Sequence, residues 1–214
     1  MPCCESSTSR HAAPSGTLTP IVLYDFVREA PDAIWEITKN IDSFDESIDL
    51  LDFPTIISIG DTSPEDYGAF YGAYVGLAKS PKLEDGSSDK TALLNYPHDS
   101  LARLSGTYDL TWLPLQEGDV FSARVGHVFP YGELPTSPFS VEFVVKFYEN
   151  DSSEFIVIAS QEDFYDGITH EIDVRISSKL AGKSGWFVLE VYSLDDSFSD
   201  WAVWVDAVLI GLPR

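Results

Sequence analysis

The sequence predicts an all-β protein folded as an antiparallel β-sandwich. Apolar runs of strand length recur at fairly even spacing, and clusters of Gly, Pro, Asp and Ser separate them. No amphipathic helical pattern lies between neighbouring runs, which disfavours a parallel βαβ arrangement. A chain of 214 residues with 44% hydrophobic and 13% aromatic residues can bury a sizeable core. We therefore expect one sandwich domain over residues 20–214.

The first 19 residues are small, polar and aperiodic, and they predict a flexible N-terminal tail over residues 1–19. This tail contains Cys3 and Cys4, the only two cysteines. Adjacent cysteines in a tail cannot staple a core, so we expect exposed thiols. The tail also lacks the basic-then-apolar pattern of a secretory signal.

In the N-terminal part of the domain, the sequence predicts short and irregular strands. "PIVLYDFV" is a first strand, and "EAPDAIWEI" is either a helical turn or an irregular approach to a strand at Trp35. A short strand follows in "DLLDFPTIISI". In "YGAFYGAYVGLA" glycines are spaced among aromatic residues, which is typical of a strand that another backbone approaches closely.

From residue 81 onward the strand pattern is clearer. In "SVEFVVKFY", Val141, Phe143, Val145 and Phe147 fall on one face, as a half-buried strand requires. The remaining predicted strands are TALLNYP, RLSGTYDLTWLPL, DVFSARVGHVF, EFIVIAS, ITHEIDVRI, GWFVLEVYSL and DWAVWVDAVLIG.

The last strand carries two tryptophans on opposite faces. Strict alternation places Trp201 on one face, and Trp204 with Asp206 on the other. The face of Trp201 then also contains Val203, Val205 and Ala207. One tryptophan should therefore face away from the core, or into a second layer.

The charge of the chain excludes two classes of partner. A formal net charge of −22 with only 13 basic residues does not suit nucleic-acid phosphates or an anionic membrane surface. No apolar run reaches the ~18 residues of a membrane span, so we expect no membrane insertion.

The stretch "HEIDVRI" is the most enzyme-like feature. Glu171 and Asp173 lie on one face of a strand, about 6.5–7 Å apart, which suits a carboxylate pair of a glycosidase. Arg175, however, occupies the next outward position, where an ion pair with Asp173 on a solvated face is the simpler interpretation. The G-x-S-x-G and H-E-x-x-H motifs are missing from the sequence. We expect no catalytic residues and no enzymatic activity.

Acidic loops suggest calcium as a cofactor. "DDSFSDW" brings Asp195, Asp196 and Asp200 within six positions, and hard cations prefer such oxygen ligands. The alternative is an Asp-rich turn that caps backbone amides. A second acidic loop, "QEDFYDG", contains Glu162, Asp163 and Asp166.

Aromatic residues suggest a sugar site. The apolar C–H faces of a sugar stack on aromatic rings, while polar side chains bind its hydroxyl groups. Trp112 and Tyr131 lie near turns and are candidates for exposure, and Trp204 with Asp206 is a further candidate pair for ligand binding. The alternative for each aromatic residue is packing in the core.

The segment "LAGKSGWFVLEVYSLDDSFSDWAVWVDAVL" resembles the end of galactose-binding-like jelly rolls, in particular the NPCBM-type modules of bacterial glycosidases. The resemblance begins near Phe143 and carries over to Asp200, Trp201, Trp204 and Asp206. It implies a jelly-roll sandwich, a non-catalytic binding role, a calcium ion and a location outside the cell or on its surface.

The leading hypothesis is a non-catalytic module that binds a glycan or another cell-surface ligand, including a protein. The alternative is a structural or assembly subunit of a coat, filament or matrix, which contacts its neighbours through its tail and aromatic surface and forms oligomers. A hydrolase of unrecognised type is the third hypothesis.

Overall fold

The computed structural model describes residues 19–39, 47–51, 73–88, 90–97, 102–128, 140–150, 152–194 and 201–214. Within these ranges the chain forms strands and one turn of 3-10 helix, Ala30–Asp32. The strands are β1 (Ile21–Asp25), β2 (Ile34–Lys39), β3 (Ser47–Leu51), β4 (Tyr74–Lys79), β5 (Thr91–Tyr96), β6 (Arg103–Leu110), β7 (Val120–His127), β8 (Ser140–Glu149), β9 (Phe155–Phe164), β10 (His170–Arg175), β11 (Gly185–Ser193) and β12 (Ala202–Gly211).

The strands form two six-stranded antiparallel sheets. The first sheet has the order β10-β7-β12-β5-β4, and β1 also pairs with β12. The first half of β12, residues 202–205, pairs with β5, and residues 208–211 pair with β1. The second sheet has the order β3-β2-β6-β11-β8-β9. The predicted all-β antiparallel sandwich is confirmed. In the described part of the chain, no helix has the length and apolar character needed to cross a membrane.

The core lies between the sheets and follows the alternation of the strands. The inward residues predicted on β8 are buried, and Phe143 packs edge-to-face on Trp204 of the opposite sheet with 5.0 Å between ring centroids. This part of the prediction is therefore confirmed. Other fully buried large side chains are Phe26, Trp35, Ile37, Leu93, Tyr108, Phe121, Phe147 and Phe187.

A glycine makes room for a large ring in the second sheet. Gly106 of β6 pairs with Trp35 of β2, and a Cβ atom on Gly106 would lie 2.4 Å from the Trp35 ring. The indole N–H of Trp35 donates to the carbonyl of Ala30 at 2.9 Å. This close approach lets a buried tryptophan lie flat across the neighbouring strand.

A bulge in β12 corrects the face prediction for the last strand. The register of β12 against β7 shifts between Val205 and Val208, and Asp206 has a φ of 51°. Because the bulge inserts one residue, Ala207 joins the core on the same side as Trp204. Trp201 and Val205 pack instead in a smaller cluster on the other face of the first sheet. The placement of Ala207 with Trp201 was therefore wrong.

A buried phenol, Tyr108, and a half-buried one, Tyr24, make the fold sensitive to alkaline pH. The hydroxyl of Tyr108 is buried and has no hydrogen-bond partner among the described residues. Burial raises the pKa of Tyr108 well above 10, with the nearby Tyr24 and Asp25 adding to the effect. Burial, followed by the charge of Glu29, raises the pKa of Tyr24 to about 12. Both folded pKa values exceed the unfolded value of 10.0, so their contribution to stability is complete below pH 10 and is lost as pH rises through the folded pKa.

We expect Tyr108→Phe to flatten the decrease in the free energy of unfolding between pH 10 and pH 12. At pH 7 the variant should equal wild type or exceed it by up to about 1 kcal/mol, because the lost hydroxyl makes no hydrogen bond. Urea unfolding at several pH values measures both effects. Tyr192→Phe is the contrast, since the Tyr192 hydroxyl donates to Glu190 and its loss should destabilise at pH 7. A Tyr108→Phe variant less stable than wild type at pH 7 would contradict this account.

Candidate functional site

Outward side chains of the second sheet line a groove of about 280 Å³. Residues on neighbouring strands point to the same face when they are directly paired, so the register aligns them in rows. The residues that line the groove are Glu36, Arg103, Ser105, Thr107, Tyr148, Ser152, Trp186, Val188 and Glu190.

The groove is polar at one end and aromatic at the other. Glu36, Ser105 and Glu190 form one row across β2, β6 and β11. Trp186 of β11 pairs with Tyr148 of β8 at the opposite end. Glu190 is four positions after Trp186 on β11, a distance of about 13 Å. The groove therefore offers ring surfaces and hydrogen-bonding groups within the length of a short oligomeric ligand.

A buried ion pair forms part of the polar end. Lys146 Nζ lies 2.5 Å from Glu190 Oε2, and the two side chains are 7% and 4% exposed. Lys146 also donates to the Tyr192 hydroxyl at 3.0 Å, and that hydroxyl donates to Glu190 at 2.8 Å. Burial acts to lower the pKa of Lys146, but the hydrogen bonds to Glu190 and Tyr192 outweigh it and the net shift is upward. These three side chains are therefore held in one arrangement.

Arg103 is also oriented by its neighbours. Its Nη2 donates to Thr38 Oγ1 at 3.0 Å, and its guanidinium carbon lies 5.9 Å from the centroid of the Tyr192 ring. Strand pairing places Arg103 between these two residues, because Thr38 and Tyr192 are its partners on β2 and β11. A guanidinium fixed in this way can donate to a bound ligand at little cost in side-chain entropy.

The edge strand β9 extends the aromatic surface beyond the groove. Phe155 is 47% exposed, and its ring centroid lies 5.6 Å from that of Tyr148. Lys146 Nζ lies 4.5 Å from the centroid of the same ring. Phe155 therefore links the aromatic end to the buried ion pair.

Of the residues predicted from the sequence to bind ligand, the three that the structure describes do not line this groove. Trp112 is 64% exposed on the turn after β6, as expected, with its ring 6.5 Å from Tyr24. Trp204 is fully buried in the core, so its prediction as a ligand-binding residue is wrong. Asp206 is exposed on the first sheet and forms an ion pair with Lys90 at 2.6 Å.

Several predictions concern residues outside the described part of the chain. Tyr131 and the predicted calcium ligands Asp195, Asp196 and Asp200 belong to this group. Ligand binding by Trp112, Tyr131 and Asp206, and calcium binding by the acidic loop, stay predictions. Glu171 and Asp173 are exposed on β10, as expected for an outer strand face.

Part of the groove could have been predicted from the sequence of β11. On β11, Trp186 and Glu190 alternate with the buried Phe187 and Leu189. A solvated face normally carries polar residues at its outward positions, so a tryptophan at such a position is unusual. The pairing of neighbouring strands was needed to bring the groove residues together.

Comparison with known proteins gives matches in structure alone. No family model matches the chain, and no curated protein matches it. The similar solved structures include β-sandwich carbohydrate-binding modules, the broad class predicted from the C-terminal segment. These likenesses are of overall architecture alone. The sandwich itself is established by the strand pairing.

Three of these solved structures illustrate the degree of similarity. The CBM22-1 xylan-binding domain of Paenibacillus barcinonensis Xyn10C has a TM-score of 0.40 and 16% identity, over 66% of this chain and 82% of that domain. The CBM22-1-GH10 modules of Clostridium thermocellum xylanase 10B, complexed with xylohexaose, have a TM-score of 0.41 and 14% identity over 66% of this chain. This chain covers 25% of that xylanase structure. CBM28, a module specific for non-crystalline cellulose, has a TM-score of 0.42 and 12% identity, over 68% of this chain and 86% of that module.

Proposed function

We propose that this protein is a non-catalytic binding module that holds a neutral glycan chain in the groove of the second sheet. The observation that carries the proposal is the paired Trp186 and Tyr148 beside Arg103, Glu36 and Ser105 in one groove. Aromatic rings offer apolar area for the C–H faces of sugar rings. A few fixed polar groups then select and orient the hydroxyls.

The charge of the protein favours a neutral glycan over an acidic one. The net charge is −22, and the groove itself contains Glu36 and Glu190. Among the described residues that line the groove, Arg103 is the only one with a cationic side chain. An anionic polysaccharide would meet a repulsive field over most of the surface.

The proposal is tested by isothermal titration calorimetry with a panel of soluble glycans. Xylohexaose, a cello-oligosaccharide and hydroxyethylcellulose are the neutral probes, and polygalacturonate is the anionic probe. We expect binding to a neutral probe, and we expect Trp186→Ala to weaken it about tenfold or more, as for an aromatic residue at the centre of an interface.

Phe164→Ala is the matched control, because Phe164 is an exposed aromatic residue outside the groove lining. It should bind as wild type does. Equal affinity of Trp186→Ala and wild type, or binding to none of the probes, would contradict the proposal. Light scattering on the same samples addresses the alternative of an assembly subunit. Concentration-dependent oligomers without glycan binding would favour that alternative.

A further inference from the structure

A second cluster of functional groups lies at the junction of the two sheets, away from the groove. His127 ends β7 of the first sheet, and Asp163 is near the end of β9 of the second sheet. Glu84 belongs to the turn between β4 and β5. None of the three residues lines the groove. An antiparallel bridge between Leu83 and Val128 connects the turn of Glu84 to the end of β7, whereas β7 and β9 belong to different sheets and do not pair.

The three side chains are buried and converge on one point. Each is at most 1% exposed. His127 Nδ1 lies 2.8 Å from Asp163 Oδ2 and 3.6 Å from Glu84 Oε1. One ligand atom from each residue lies within 4.8 Å of the other two. Buried carboxylates are rare in proteins unless they are paired or bind a metal ion.

Backbone and side-chain hydrogen bonds hold the carboxylates in place. Glu84 Oε1 accepts from the His127 amide at 2.8 Å. Its Oε2 accepts from the amides of Asp166 and Gly167 at 3.0 and 3.2 Å. Asp163 Oδ1 lies 3.1 Å from Nε2 of the half-buried His170. Each carboxylate oxygen has two lone pairs, so these contacts leave capacity for a cation.

The charges in the cluster are not balanced. Two buried carboxylates face one buried imidazole, so His127 can balance at most one of their charges, and the half-buried His170 lies at the edge of the cluster. A divalent cation with a neutral imidazole would bring the net charge of the cluster to zero. The location thus attracts positive charge.

We propose that Glu84, His127 and Asp163 bind a divalent first-row transition metal ion, with zinc as the best fit. One imidazole nitrogen with two carboxylate oxygens is a donor set that zinc accepts, whereas calcium requires six to eight oxygen ligands. Tetrahedral zinc at about 2.0–2.2 Å from its ligands places them about 3.4 Å apart. The 3.6 Å separation of Nδ1 and Glu84 Oε1 fits this spacing, and the 2.8 Å separation of Nδ1 and Asp163 Oδ2 would open slightly.

His170 acts in this proposal as a positioning residue. Its Nε2 lies 3.1 Å from Asp163 Oδ1, the oxygen not directed at His127, so the ring borders the carboxylate and limits its rotation. The metal ion would tie the end of β9 to the first sheet at the point where the chain crosses between sheets. This role is independent of the proposed glycan groove, so either proposal can fail without the other.

The experiment uses the full chain with Cys3→Ser and Cys4→Ser, because thiols in the tail are also zinc ligands. After chelator treatment and dialysis, zinc binding is measured by calorimetry and by metal content. We expect one zinc per chain and a rise of several degrees in melting temperature at saturating zinc. Cobalt substitution should give visible absorption typical of nitrogen and oxygen ligation.

Three variants test whether the zinc binds at this cluster or elsewhere on the protein. Asp163→Asn should abolish the zinc-dependent shift, and His170→Gln should weaken affinity about 10–100-fold, as for residues that orient a ligand. Asp173→Asn is the matched control, since Asp173 is an exposed carboxylate on β10. It should bind zinc as the parent does.

Three outcomes would overturn the proposal. The first is less than one zinc per chain in the parent, and the second is a thermal shift with calcium but not zinc. The third is that both His170→Gln and Asp163→Asn bind zinc with the same affinity as the parent protein. If circular dichroism shows that Asp163→Asn does not fold, the affinity and cobalt spectrum of His170→Gln decide the result.

Discussion

Replacing Phe143 by alanine is expected to lower the free energy of unfolding by about 3–5 kcal/mol. The Phe143 side chain is fully buried, and its ring packs edge-to-face on Trp204 across the two sheets. The substitution removes apolar area from the core and leaves a cavity that the β8 backbone cannot close, because β8 is paired on both sides. Urea unfolding at neutral pH measures the loss.

Phe164→Ala is the matched control for this prediction. Phe164 lies on the adjacent strand β9 and is 49% exposed. Its truncation should cost much less, within about 1 kcal/mol. A Phe143→Ala variant that melts within a degree or two of wild type would show that the inward face of β8 is wrongly assigned.

Replacing Glu190 by leucine is expected to destabilise the protein by about 3–5 kcal/mol, because it leaves the Lys146 ammonium buried without its counter-charge. Lys146 is only 6% exposed, and Glu190 Oε2 is 2.5 Å from its Nζ. The raised pKa of Lys146 has the same cause. Guanidinium unfolding at pH 7 measures the effect.

The double variant Lys146→Met with Glu190→Leu should recover most of the loss, since both buried charges are then removed. The control is Glu149→Leu, which breaks the pair with Lys183 at 2.5 Å. Because those side chains are 42% and 32% exposed, that loss should stay within about 1 kcal/mol. A double variant as unstable as Glu190→Leu alone would show that the energetic cost does not arise from the unpaired lysine.

The strands were predictable because their signal is local. Alternation within β8 depends only on successive residues that point to opposite faces, so the inward positions of Val141 and Phe147 could be assigned from the sequence. The failure on β12 has an equally local cause. Asp206 adopts a left-handed conformation, and this single bulged residue shifts Ala207 to the other face.

The solvent exposure of a side chain was harder to predict than the face of the strand on which it lies. Alternation correctly places Lys146 on the outward face of β8, yet the side chain is buried there by the residues around it. Alternation within β12 did not show whether the face of Trp204 points into the core or away from it. The packing of Trp204 against Phe143 shows that it lies in the core.

The sequence by itself determined that this chain folds as an antiparallel sandwich, because strand periodicity and turn residues act over a few positions. Only the tertiary structure decided the two sites. The groove requires the register of β2, β6, β8 and β11. The cluster joins Glu84 and His127, 43 positions apart, and His127 and Asp163, 36 positions apart. Such contacts follow from how the sheets pair and pack, and no local pattern of residues encodes them.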